Sequence, residues 1–122
     1  MKHADGRPEM EKRSAEDIIR KLNLTPHVEK GWYIQTYEDD RKTGDRSHGT
    51  AIYYLLEGSV GASNWHRVDA IEVWHFYAGA PLRLELSYND GTKTESRILG
   101  RDIFADQAPQ IVIEVSLHLR CN

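Results

Sequence analysis

The chain has 122 residues, 39% of them hydrophobic and 29% charged, with a formal net charge of −3. That length fits one domain with a modest core, and the slightly acidic, interspersed charge excludes the basic footprint that nucleic acids and acidic membrane surfaces select. The one cysteine, Cys121, offers no internal disulfide, so packing has to supply the stability.

No apolar run is long enough to cross a bilayer, and the opening MKHADGRPEMEKR is too polar for a signal peptide. The expectation is a cytoplasmic protein with neither nucleic-acid nor membrane partners. Residues 1–13 read as a flexible polar tail and residues 14–122 as the folded domain. Within SAEDIIRKLNL, Ser14 and Asp17 have the spacing of a capping box, and Ala15, Ile18, Ile19 and Leu22 share one helical face. Pro26 disfavours helical geometry at Thr25, which ends this short helix near Leu24.

From Gly31 onward the period changes to that of strands. GWYIQTYE is aromatic and β-branched. DDRKTGDRSHG follows as a charged turn region, and TAIYYLLEG is a near-continuous apolar run that predicts a strand buried on both faces. PLRLELSY alternates strictly, and the NDG at 89–91 predicts a hairpin returning through TKTESRILG. IVIEVSLHLR alternates once more. Many short strands separated by turns imply an all-β sandwich or barrel.

The densest chemistry lies in NWHRVDAIEVWHFYAG, residues 64–79. If Val68, Asp69 and Ala70 form a hairpin loop, His66 faces Glu72 across the pair, and an imidazole and a carboxylate converge on one face. Such a pair suits metal binding or acid–base work, and equally a hydrogen-bonded pair on a sheet surface. Strand parity puts Glu72, Trp74 and Phe76 on one side and Val73, His75 and Tyr77 on the other. His66 and Glu72 therefore form the leading site pair, and His75 points elsewhere. Phosphate loops, nucleophile elbows, cysteine knuckles and calcium loops are absent from the sequence.

The spacing from His66 through Val68 and Glu72 to Gly79 resembles the first cupin motif, with Val68 at the place of its second histidine. LTPHVEKGWYIQTY, TAIYYLLEG, SNWHRVDAIEVWHFYAGAPLRLEL and APQIV resemble, in order, a small and largely uncharacterised cupin family. Some of its members are labelled predicted sugar epimerases. The likeness runs over residues 15–112, with Lys30 where that family usually has Gly.

The resemblance implies a cupin-type double-stranded β-helix, a jelly-roll barrel with one short N-terminal helix. After PQIV the chain departs from the family pattern, ending in IEVSLHLRCN, so the barrel is expected to be incomplete at the C-terminus. The implied activity is sugar or nucleotide-sugar epimerase or isomerase chemistry by His/Tyr proton transfer. His66 or His75 is the candidate base, and Tyr53, Tyr54 or Tyr77 the candidate acid, with His66 and Tyr53 the leading pair. Glu72, Trp65, Arg67 and His27 are the candidate ligand contacts, and a divalent metal would rest on His66 and Glu72, an incomplete ligand set. The alternatives are a non-catalytic small-molecule-binding cupin or an inactive shortened form. The expected partners are a small-molecule ligand, such as a sugar, and a second copy in a homodimer.

Overall fold

A computed structural model describes Gly6 and residues 8–122. These residues divide into two compact units, one ending at Glu57 and one running from Gly58 to Asn122.

In the first unit a 3-10 turn at Glu9–Lys12 buries nothing and leads to helix α1, Ala15–Leu22. The capping box forms as the spacing predicts. The Asp17 N–H donates to the Ser14 hydroxyl at 3.1 Å, and the Ser14 N–H donates to the Asp17 carboxylate at 3.3 Å. Two orphan donors of the first turn are thereby satisfied. Asn23 ends the helix in the left-handed conformation, φ 55°, which asparagine tolerates better than most residues.

Five strands follow in this unit: β1 (Thr25–Pro26), β2 (Trp32–Glu38), β3 (Lys42–Thr43), β4 (Arg46–Ser47) and β5 (Thr50–Leu55). β1, β2 and β5 form an antiparallel sheet in the order β1-β2-β5, and β3 with β4 forms a separate small hairpin. The expectation of a strand buried on both faces at TAIYYLLEG is corrected here. Among the described residues β5 is an edge strand whose pairing partner is β2, and Ile52 and Tyr53 remain 44% and 42% exposed. An apolar run reports strand propensity but carries no information on how many layers cover it.

The second unit contains β6 (His66–Arg67), β7 (Glu72–His75), β8 (Leu82–Ser87), β9 (Glu95–Leu99), β10 (Gln110–Ile113) and β11 (His118–Cys121). A four-stranded antiparallel sheet runs in the order β6-β11-β8-β9, and β7 and β10 form a second antiparallel sheet. The NDG signal is met by the β8–β9 hairpin, whose loop carries Asn89 and Gly91 at positive φ. Alternation along β8, β10 and β11 sends Leu84, Leu86, Ile111, Ile113, Leu119 and Cys121 into the core, each 6% exposed or less.

IVIEVSLHLR is two strands rather than one. A turn at residues 114–117, with Ser116 at φ 74°, carries the chain from the β7–β10 sheet into the other. Val68 pins the crossover: its N–H donates to the Leu117 carbonyl at 2.8 Å, and its carbonyl accepts the Ser116 N–H at 2.7 Å. The C-terminal segment thus supplies β11, an interior strand between β6 and β8. The chain is all-β apart from α1 and short 3-10 turns, and among the described residues its strand pairings form four separate sheets without closing into a ring.

Candidate functional site

β6 places His66 opposite Leu119, and Leu119 lies opposite Leu86 on the next strand. Both leucines are fully buried, so the imidazole projects from the apolar face of the four-stranded sheet. Its Nδ1 is buried and has no hydrogen-bond partner. An unsatisfied buried nitrogen costs about 1–3 kcal/mol, so it marks a place where a further polar group would be accommodated.

Glu72 lies opposite Ile113 on the β7–β10 sheet, on that sheet's buried side. Its Oε1 accepts a hydrogen bond from the Trp74 indole at 2.9 Å. The predicted hairpin does not exist: β6 pairs with β11 and β7 with β10, so His66 and Glu72 are not cross-strand partners. The physical reason is Val68. The hairpin reading made it a loop residue, but it is only 1% exposed, and its backbone is bonded to the 116–117 turn. That anchoring turns the chain from one sheet to the other. Strand parity holds along β7: Val73 and His75 are exposed, and His75 stacks on Tyr77 with ring centroids 6.3 Å apart.

Trp65 and Arg67 flank His66 in sequence and so project from the opposite face of β6. There the Arg120 guanidinium lies over the Trp65 ring at 4.8 Å and forms a charge-assisted hydrogen bond with Glu85, its cross-strand partner on β8. Arg67 donates to the Ser116 hydroxyl at 3.2 Å. These two candidate ligand contacts therefore serve the polar outer face and do not share a surface with the His66 ring.

His27 and Tyr53 belong to the first unit. The His27 Nδ1 accepts the Glu29 N–H at 3.0 Å, and the ring packs edge-on against Tyr33 and Tyr54. This histidine holds a tight turn in which the His27 N–H donates to the Gly31 carbonyl at 2.8 Å. Tyr53 lies opposite Ile34 on the β2–β5 pair, and the Tyr54 hydroxyl donates to the Lys30 carbonyl at 2.7 Å.

One residue escaped the sequence reading. His118 stands on the polar face of β11 between Arg67 and Ser87, and its Nδ1 is also buried without a partner. The signal was present in SLHLR, where His118 and Arg120 share one parity and the buried Leu117, Leu119 and Cys121 share the other.

The second unit, two antiparallel sheets with His66 on the edge strand β6 of the larger one, is a β-fold of the jelly-roll class. The family model for the cupin superfamily (DUF985) matches residues 16–120, and the chain belongs to that family. A crystal structure of a protein from Shewanella oneidensis is 29% identical, with a TM-score of 0.82 over 90% of this chain and 69% of that one. A hypothetical protein from Leishmania major is 23% identical, with a TM-score of 0.81 over 90% of this chain and 70% of that one, and supports the fold alone. No curated protein matches.

A cupin metal centre needs a cluster of imidazole and carboxylate donors, and the residues present do not fit one. Val68 is a core residue at the place of the second histidine, and the Glu72 carboxylate holds the Trp74 indole. Among the described residues no three His, Cys, Asp or Glu side chains form a group able to hold a metal ion.

Proposed function

We propose that this cupin domain binds a small polar ligand, a sugar or nucleotide-linked sugar, without relying on a resident metal, and that His66 is its principal polar contact. The supporting observation is the buried, partnerless His66 Nδ1 on the sheet face it shares with Leu119 and Leu86. A ligand hydroxyl or carbonyl would satisfy that nitrogen, while the surrounding leucines exclude competing water.

The same nitrogen favours a second reading, epimerase or isomerase chemistry. An imidazole can take a proton from a ligand carbon next to a carbonyl and return it. Both readings are separated by incubating the protein with nucleotide-linked keto-sugars in deuterated water. Binding alone is expected to shift the His66 imidazole resonances without placing solvent deuterium in the sugar. Deuterium incorporation abolished by His66→Ala would establish proton transfer. Sugar binding that survives His66→Ala unchanged would refute both.

A further inference from the structure

The outer face of the four-stranded sheet carries a row of side chains with hydrogen-bond donors to spare. His118 lies directly opposite Arg67 on β6 and opposite Ser87 on β8, so a guanidinium, an imidazole and a hydroxyl stand side by side across three strands. Directly opposed residues bring their Cβ atoms within about 5 Å, close enough for the three side chains to converge on one small group. Ser116, two residues before His118, adds a second hydroxyl at the end of the row, where it accepts from Arg67 at 3.2 Å.

The row is rich in donors and poor in acceptors. A guanidinium has five N–H groups and no acceptor, and the partner of Arg67 is a neutral hydroxyl. The Ser87 hydroxyl accepts the Asn89 N–H at 3.1 Å, which leaves its own proton to be donated. His118 Nδ1 is buried and has no partner. The carboxylate on the same face, Glu85, is held by Arg120, which also covers the Trp65 ring. Asp69, two residues after Arg67, lines a hollow of about 300 Å³ with Arg67 and Ser116, and its charge limits how far an anion could extend on that side.

We propose that this row is an oxyanion site that takes a phosphate group, with Arg67 supplying the charge and His118, Ser87 and Ser116 the flanking donors. A phosphate presents several acceptor oxygens at once, which suits a forked guanidinium set beside hydroxyls and an imidazole. The ring offers a donor whether it carries one N–H or two. Strand parity puts the row on the opposite face of the sheet from His66 and Leu119, so the site is separate from the sugar site proposed above.

Titration with inorganic phosphate at fixed pH and ionic strength, followed by the imidazole NMR resonances and by calorimetry, tests the assignment. The His118 ring is expected to shift saturably while the His66 ring stays still, and chloride at equal ionic strength is expected to move neither. Arg67→Gln should weaken phosphate binding about tenfold or more, and His118→Phe about threefold. Asp69→Asn should tighten it by removing a like charge from beside the ligand. Arg67 and Asp69 are both exposed, and circular dichroism melts verify that the variants fold. Methyl phosphate binding more tightly than inorganic phosphate would support the proposal with a phosphate ester as the source of the group, and the reverse order would support it with the free anion. No saturable shift at His118, equal shifts with chloride, a shift at His66 instead, or an Arg67→Gln variant that binds as well as the intact protein would overturn it.

Discussion

His66 and Leu119 face each other across the β6–β11 pair, so the candidate ligand-binding imidazole is seated beside a fully buried leucine contributed by the last strand. The geometry of the site therefore depends on the C-terminal strand, which the family model matches as far as residue 120. Leu119→Ala should cost about 2–5 kcal/mol of stability, through lost burial and the cavity left behind. Urea denaturation measures the cost, and carbethoxylation of His66 should accelerate as water reaches its ring. A loss below about 1 kcal/mol would mean that β11 is not an interior strand.

Arg120 links the outer face by stacking over Trp65 while bonding Glu85. Arg120→Ala should lower stability by about 1–2 kcal/mol, combining a modest ion pair with a cation–π contact. Arg120→Lys should recover only part of that, because an ammonium cannot stack as a plane and pair through a fork together. In a double-mutant cycle with Trp65→Leu, a coupling near zero would show that the stacking carries no energy.

Much of this fold was readable locally. The capping box of α1, the β8–β9 hairpin and the separation of His75 from Glu72 each follow from residues a few positions apart. What was not readable is which strand pairs with which. β6 finds its partner about fifty residues later, and no local pattern in HRVDAIEV distinguishes a hairpin from a crossover between sheets. The same limit hid the edge position of β5 and the turn that splits the final alternating run. Metal chemistry was better posed in sequence: Val68 removes a donor by its identity, and its burial shows that the position now serves the core.

Asp17 gives the helix a defined response to acid. Hydrogen bonds from the Ser14 N–H and from Arg20 hold its carboxyl below the ordinary aspartate value of 3.8. Because the folded-state pKa is the lower one, the stabilisation is complete above the unfolded value and is lost as pH falls through the folded value. NMR titration should give an Asp17 midpoint below 3.8. Asp17→Asn should flatten the acid limb of α1 unfolding, and an identical limb in the variant would exclude Asp17 as its source.

Gly31 offers the sharpest test of the first unit. Its φ is 81°, and a Cβ built there would lie 2.5 Å from the Tyr54 hydroxyl, which itself bonds the Lys30 carbonyl. Gly31→Ala therefore meets two penalties, backbone strain in the left-handed region and a clash with a ring braced against His27. Together they should cost about 2–4 kcal/mol in thermal or urea unfolding. Truncating the ring isolates the steric part: a Tyr54→Ala background removes the three closest contacts of the added Cβ, and chiefly the conformational cost of about 1 kcal/mol should remain. If Gly31→Ala costs the same in both backgrounds, Tyr54 does not restrict this turn, and the aromatic packing around His27 contributes nothing to holding it.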